Sequence, residues 1–104
     1  MVEKVRLSAP TLKVLKFLLE RPANGQSGAE ISKFAGVGSG TMYPLLARLE
    51  AAGWCESVWE PIDPSEAGRP RRRLYTLTVA GRARARAAFA EFSVAPDGDL
   101  AWHS

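Results

Sequence analysis

The sequence predicts a mainly α-helical domain that carries one β-hairpin, and three observations support this fold class. Three segments with apolar residues at helical spacing fill the first half of the chain. The region after Gly53 is rich in the aromatic and β-branched residues typical of strands, and a further helical segment begins near Thr78. With 104 residues, 46% of them hydrophobic and 24% charged, the chain has the size and composition of one globular domain.

The first helix is predicted over residues 8–21. Ser8 is suited to cap it, and Pro10 falls in the first turn, where the missing N–H costs nothing. Apolar residues cover more than half of its circumference, which is more than one core usually needs. Two interpretations stay open, since either the domain wraps this helix or part of the apolar arc meets another helix or subunit. The arc consists of Leu12, Val14, Leu15, Phe17, Leu18 and Leu19.

The second helix is predicted to begin after Ser27, because Glu30 follows three residues later in the pattern of a capping box. Residues 22–26 precede it with the composition of a turn. Gly36 is expected to end the helix. Its short apolar face consists of Ile31 and Phe34.

The third helix is predicted to start between Ser39 and Thr41 and to end at Gly53. Pro44 favours a cap at Thr41, because a proline beyond the first turn removes one backbone hydrogen bond. The apolar face at helical spacing consists of Met42, Leu45, Leu46 and Leu49.

After the third helix, residues 54–60 and 73–78 are predicted to pair as the two strands of a hairpin. Residues 61–72 between them are rich in proline, glycine and charge, and form its long loop. The alternation in the first strand is irregular, so the sequence leaves open which face is buried.

The fourth helix is predicted to be capped at Thr78 and to reach Phe92. Residues 1–92 then form the domain, and residues 93–104, which show little periodicity, form a flexible tail. One apolar stripe of the helix consists of Ala85, Ala88, Phe89 and Phe92, and a second face of small residues consists of Val79, Ala83 and Ala90.

Charge is sorted along the second half of the chain, whose net charge overall is +3. Between Arg48 and Arg69 there are five acidic residues and no basic one, whereas between Glu66 and Glu91 there are seven arginines and no acidic residue. A local positive surface of this kind attracts a polyanion. The seven arginines are Arg69, Arg71, Arg72, Arg73, Arg82, Arg84 and Arg86.

Residue types that serve catalysis or metal binding are scarce. The one cysteine, Cys55, excludes an internal disulfide and a multi-cysteine zinc site, and we interpret it as a small buried hydrophobe. The one histidine, His103, leaves no Ser/His/Asp set. We therefore expect no enzyme, no metal and no cofactor. Because no run of about 18 apolar residues and no apolar signal segment occur, we also expect no membrane partner and a cytoplasmic location.

The order helix, helix, tight turn, helix, hairpin, helix is that of a winged helix-turn-helix domain. Opposite its leucines, the third helix presents small residues that allow close approach to a groove of double-stranded DNA. The start of this helix offers N–H groups and hydroxyls to phosphate, and the loop arginines suit the backbone or the minor groove. The predicted DNA-binding residues are Ser39, Gly40, Thr41, Tyr43, Pro44, Arg48, Arg69, Arg71, Arg72 and Arg73.

Two stretches of the chain resemble the PadR family of bacterial transcriptional regulators. In that family a Y-P-x-L-x-x-L-E-x-x-G helix precedes a hairpin, and a pattern that begins G-R-P and continues to Y-x-L-T-x-x-G follows. Residues 43–53 match the first pattern, and the resemblance covers residues 8–92. The second pattern is matched by Gly68, Arg69, Pro70, Tyr75, Leu77, Thr78 and Gly81.

The resemblance implies a homodimer that binds specific DNA sequences and represses transcription, with the third helix in the major groove and the wing on the backbone or minor groove. Some members bind aromatic or drug-like effectors near the dimer interface, and Trp54 and Trp59 are the candidate effector contacts. This chain has a single helix after the wing, unlike longer members, which affects the effector pocket more than DNA binding. Family dimers use the terminal helices, so the predicted interface consists of Leu12, Phe17, Ala85, Phe89 and Phe92.

Other interpretations stay open. A winged-helix module for protein–protein interaction would use the acidic residues from Glu50 to Glu66 and the apolar arcs, without specific DNA binding. The arginine-rich loop is either solvated or DNA-binding. Tyr43 either contacts phosphate or packs beside the wing, and Trp54 and Trp59 belong either to the core or an interface, or to a ligand pocket.

Overall fold

The computed structural model describes residues 5–21 and 25–93. The helices and the hairpin follow one another in the predicted order, and the fold is mainly helical with a small antiparallel sheet. In chain order the elements are α1 (Ala9–Leu19), β1 (Gln26–Ser27), α2 (Gly28–Ala35), α3 (Ser39–Ala51), β2 (Cys55–Trp59), α4 (Pro64–Ala67), β3 (Arg73–Leu77) and α5 (Val79–Ser93).

Helix α1 lies in the centre of the core. Its start is capped as predicted, since the Ser8 hydroxyl accepts a hydrogen bond from the Thr11 N–H at 3.4 Å, and Pro10 lies in the first turn. Five of the six residues in its apolar arc are buried by this chain itself. The extent of the arc therefore requires no second subunit. The five are Leu12, Val14, Leu15, Phe17 and Leu18.

Helix α2 begins with the predicted capping box. The Ser27 hydroxyl accepts a hydrogen bond from the Glu30 N–H at 3.2 Å, and the Glu30 carboxylate accepts one from the Ser27 N–H at 3.0 Å. The helix ends at Gly36, whose φ of 73° is left-handed, as a helix C-cap favours. Ile31 is fully buried, whereas Phe34 is 61% exposed and stacks beside Phe17 at the surface.

The capping box gives a stability prediction. Ser27→Ala removes the acceptor for the Glu30 N–H and is expected to lower the free energy of unfolding by about 1 kcal/mol. Ser39→Ala is the matched control, because α3 has no side-chain cap and Ser39 is exposed. Urea unfolding followed by circular dichroism measures both. Equal stability of the two variants would contradict the energetic role of the capping box.

Helix α3 begins at Ser39, so the predicted cap at Thr41 is wrong. The residue before the helix is Gly38, whose carbonyl accepts from the N–H groups of Thr41 and Met42 at 3.0 and 2.9 Å. Pro44 therefore lies inside the helix and leaves the Gly40 carbonyl without its usual partner. Because Gly40 is exposed, water can donate a hydrogen bond to that carbonyl, and the internal proline costs little stability.

The sheet has the antiparallel order β1-β3-β2, so the predicted hairpin gains a third, unpredicted strand. In the β2–β3 register Cys55 lies opposite Leu77 and Trp59 opposite Arg73. Cys55 and Leu77 are buried, whereas Trp59 is 61% exposed. The end of the hairpin at Cys55 and Leu77 is therefore part of the core, and the end at Trp59 and Arg73 extends into solvent as a wing.

Helix α4 is a second unpredicted element, within the loop of the hairpin. Asp63 caps it by accepting a hydrogen bond from the Ser65 N–H at 3.0 Å, and Pro64 occupies the first turn. Both are ordinary signals of a helix start, so the sequence contained the information for this single turn.

Helix α5 is capped at Thr78 as predicted. The Thr78 hydroxyl accepts from the Gly81 N–H at 2.9 Å and donates to the Gly53 carbonyl at 2.7 Å. In the predicted stripe Ala85 and Ala88 are buried, Phe89 is half-buried, and the side chain of Phe92 lies outside the described part of the structure. Of the predicted tail, residues 93–104, only Ser93 is described, as the last residue of α5, and residues 94–104 also lie outside the described part. The second face is exposed, and consists of Val79, Ala83 and Ala90.

No helix in the described ranges is long and apolar enough to cross a bilayer. Within the same residues, no group of three or more His, Cys, Asp and Glu side chains is placed to hold a metal ion.

Candidate nucleic-acid interface

The two sides of α3 differ as the helical spacing predicts. The apolar side, formed by Met42, Leu45, Leu46 and Leu49, is at most 2% exposed. The opposite side is open to solvent, so a duplex can approach the helix without any rearrangement of the chain. Its exposed residues are Ser39, Gly40, Thr41, Tyr43, Pro44, Ala47, Arg48 and Ala51.

The ring of Tyr43 lies against Gly28, the first residue of α2. A Cβ at Gly28 would come within 2.7 Å of the ring atoms Cε1 and Cζ, so a side chain there would displace the ring from this position. Tyr43 is nevertheless 49% exposed. Packing and contact with a ligand are therefore compatible for this residue, and the packing partner is α2.

A cleft of about 180 Å³ lies where α2, α3 and β3 meet, and we call it the α2–wing cleft. Two guanidinium groups and two phenol rings border it beside the start of α2, where helix N–H groups favour anions. Burial raises the pKa of Tyr75, with a smaller contribution from Glu50. The cleft is lined by Ser27, Gly28, Ala29, Tyr43, Arg72, Arg73 and Tyr75.

The loop of the wing is closed beyond the outer ends of β2 and β3 by a set of contacts that we call the wing clasp, formed by Glu60, Arg69 and the backbone of Arg72. Arg69 donates from Nη1 and Nη2 to the two carboxylate oxygens of Glu60, at 2.7 and 2.9 Å. The Arg72 N–H donates to the same carboxylate at 3.3 Å, and the Glu60 N–H donates to the Arg72 carbonyl at 2.8 Å. The hydrogen bonds from Arg69 lower the pKa of Glu60 to about 2.

The four arginines predicted for DNA binding occupy different environments. Arg69 belongs to the wing clasp. Arg73 donates from Nε to the Ser57 hydroxyl at 2.9 Å, and its guanidinium carbon lies 4.9 Å from the centre of a Trp59 ring. Arg71 donates from Nε to the Ile62 carbonyl at 2.9 Å yet stays exposed, and Arg72 is exposed beside the cleft. The sequence presented these four residues as one cluster, whereas in the structure only Arg72 and Arg73 border the α2–wing cleft.

Three acidic residues of the stretch from Glu50 to Glu66 are engaged within the chain. Glu50 accepts a hydrogen bond from the Ser57 hydroxyl at 2.8 Å, Glu60 belongs to the wing clasp, and Asp63 caps α4. The acidic surface available to a protein partner is correspondingly smaller than the sequence suggests.

Comparison with known proteins decides the family. Residues 14–87 match the family described as "Transcriptional regulator PadR-like family". The chain belongs to the PadR-like family. The resemblance found in the sequence is thereby confirmed, and the family consists of transcriptional regulators rather than enzymes. None of the curated proteins matches the chain.

Solved structures of winged-helix regulators share the fold of this PadR-like chain. A PadR family transcription regulator from Clostridium difficile R20291 is 24% identical, with a TM-score of 0.68, over 84% of this chain and 90% of that one. The MepR–DNA complex from S. aureus is 20% identical, with a TM-score of 0.67, over 84% and 65%. Apo MarR from E. coli is 26% identical, with a TM-score of 0.65, over 81% and 56%. The chain thus spans little more than half the length of MarR.

The two tryptophans considered as effector contacts of this PadR-like chain lie far apart. Trp54 is half-buried against the core, whereas Trp59 is exposed at the other end of β2, roughly 16 Å away at the rise of an extended strand. Trp59 borders a shallow groove of about 630 Å³ together with Pro64, Pro70 and Arg71, and among the described residues Trp54 does not line this groove.

Cys55 lies in the core beside Trp54. Burial raises the pKa of its thiol to about 12, and Glu50 and Glu56 contribute to the rise. The thiol therefore stays protonated at neutral pH, as a small buried hydrophobe does.

The described residues predicted for a dimer interface fall into two groups, those buried within the single chain and one that is half-buried at a surface groove. Leu12, Phe17 and Ala85 are 6%, 5% and 0% exposed within the single chain, so most of their surface already packs inside it. Phe89 is half-buried and lines a groove of about 180 Å³ between α1 and α5. Ala9, Leu12, Lys13 and Lys16 complete this groove.

Proposed function

We propose that this PadR-like regulator binds a specific double-stranded DNA site as a homodimer and represses transcription there. In this proposal the exposed side of α3 enters the major groove, and Arg71 and Arg72 of the wing meet the phosphate backbone. The observation that carries it is the α2–wing cleft, because it brings Tyr43 of α3 and Arg72 of the wing to one side of the molecule.

The chemistry of that side suits a phosphate backbone. Guanidinium groups and helix N–H groups bind phosphate oxygens and fix the register of a protein on DNA. The outer side of α3 adds Arg48, the type of side chain that reads guanine, while Gly40 and Ala47 allow the helix to lie close to the base edges. MepR, which shares the fold, was solved as a complex with DNA.

The homodimer is proposed through α5 and the groove beside it. Val79 is 88% exposed, and Ala83 and Ala90 are exposed on the same side of the helix, which leaves an uncovered face of small apolar residues around the exposed Arg86. Phe89 lies at the edge of the groove against α1. A second α5 packed on this face would bury it, as a small domain needs.

A response to a small aromatic effector, which the family resemblance implies, stays a prediction. The groove beside Trp59 is the candidate site, since Trp54 packs against the core. The alternative of a protein-interaction module rests on the acidic stretch, of which Glu50 and Glu60 have partners inside the chain.

DNA selection followed by salt titration tests the proposed function. We expect one sequence to be enriched from a random duplex pool, and log Kd for that duplex to vary linearly with log salt, with a slope of about 0.9 for each phosphate contact. Fluorescence anisotropy gives the slope, and sedimentation of the complex is expected to show two chains for each duplex. If no sequence is enriched at low salt while a protein partner stays bound at high salt, the interaction module is the correct interpretation.

A further inference from the structure

We propose that Glu60 is a positioning residue for DNA binding, because it holds the wing in the shape that presents Arg71 and Arg72 to the backbone. The inference rests on the proposed function and adds that the wing arginines have different roles. In this view Arg69 touches Glu60 rather than DNA, although it lies in the same basic run of sequence.

The wing clasp closes the loop of residues 60–72 at its base. The Glu60 carboxylate accepts hydrogen bonds from Arg69 and from the Arg72 N–H, and the Glu60 N–H donates to the Arg72 carbonyl. Side chain and backbone of one residue therefore fix the position of Arg72. The Arg69 contact is bidentate and charge-assisted, which is the strongest ordinary form of a side-chain hydrogen bond.

The loop beyond the clasp is ordered by contacts of its own. Asp63 caps α4, and Arg71 donates from Nε to the Ile62 carbonyl at 2.9 Å. This hydrogen bond uses Nε, while the side chain as a whole remains exposed. A loop that is ordered before binding loses less conformational entropy than a flexible loop when its arginines contact DNA.

Whether substitution of Glu60 strengthens or weakens DNA binding distinguishes a positioning role from a purely electrostatic one. Glu60 carries a negative charge close to the proposed phosphate contacts, so loss of that charge alone should strengthen DNA binding. Loss of the clasp should weaken binding. Glu60→Gln removes the charge and leaves one oxygen for two guanidinium N–H groups, so the bidentate contact is lost with little change of size.

The test compares Glu60→Gln with Glu66→Gln, which removes the same charge from an exposed position on α4. With the selected duplex, we expect Glu60→Gln to bind about 3- to 10-fold more weakly than the unaltered protein, and Glu66→Gln to bind equally or more tightly. Arg69→Lys is expected to weaken binding like Glu60→Gln, because a lysine keeps the charge and loses the bidentate contact.

Limited trypsin digestion reports on the wing without DNA. Cleavage after Arg71 and Arg72, assigned by mass spectrometry, is expected to be several-fold faster in Glu60→Gln than in Glu66→Gln, because an open wing reaches the protease more often. If Glu60→Gln binds DNA as tightly as the unaltered protein and is cleaved no faster, the inference is overturned. If the unaltered protein binds no duplex while the difference in cleavage persists, the proposed function fails and the clasp still orders the wing.

Discussion

Replacing Gly81 by alanine is expected to lower the free energy of unfolding by about 3 kcal/mol, the upper end for overpacking. Gly81 is buried in the first turn of α5, against the backbone of Trp54. A Cβ there would lie 2.6 Å from the Trp54 carbonyl carbon and 2.9 Å from its Cα. Since both are backbone atoms, no side-chain rotation relieves the clash.

The same turn of α5 is tied to the chain at two further points, which makes the clash costly. The Thr78 N–H donates to the Trp54 carbonyl at 3.0 Å, and the Thr78 hydroxyl donates to the Gly53 carbonyl at 2.7 Å. If α5 moves away to admit a methyl group, these hydrogen bonds are strained and the packing of Ala85 in the core is disturbed.

Gly40→Ala is the matched control for this substitution. Gly40 also lies near the start of a helix, but no atom comes within 4 Å of the place where its Cβ would be. Alanine there is expected to raise the stability by up to about 1 kcal/mol, because glycine is the poorer helix former. Urea unfolding of both variants measures the difference. A Gly81→Ala protein as stable as Gly40→Ala would show that α5 packs elsewhere.

The local part of the fold was predictable from the sequence because caps and apolar spacing act over a few residues. Ser8, Ser27 and Thr78 each cap the helix that follows, and the apolar side of α3 is buried as its spacing indicates. The start of α3 was mispredicted because the cost of Pro44 depends on exposure, which spacing alone does not reveal.

The hairpin apart, features that depend on contacts between residues distant in the chain were not predicted. Strand β1 has two residues and exists through its register with β3, where Gln26 lies opposite Tyr75. Glu60 and Arg69 are nine residues apart, and meet because the loop between them folds back. An acidic residue at the start of a loop and a basic one near its end are a weak signal of such a pair, and charge sorting along the chain obscured it.

The largest effect on DNA binding is expected from the double variant Arg71→Ala and Arg72→Ala. At about 0.15 M salt, the loss of two phosphate contacts should weaken binding roughly 30-fold and reduce the salt slope by nearly two, since each contact contributes about 0.9. Both side chains are exposed in the wing, and neither takes part in the Arg69–Glu60 ion pair through its guanidinium group. The core of the fold should therefore be unaffected, and within the loop the variant removes the hydrogen bond from Arg71 to the Ile62 carbonyl.

The double variant Arg6→Ala and Arg84→Ala is the control for this measurement. It removes two exposed arginines that belong neither to the wing nor to the proposed dimer face and groove, and it lowers the net charge by the same amount. Only long-range attraction changes in this control, and salt screens it beyond about 10 Å, so the slope should stay close to that of the unaltered protein. Equal losses in the two double variants would mean that net charge, rather than the placement of Arg71 and Arg72 in the wing, drives binding. The wing would then not be part of the DNA interface. The two pairs of arginines carry the same charge, so only local contacts of Arg71 and Arg72 with phosphate could make their loss the larger one.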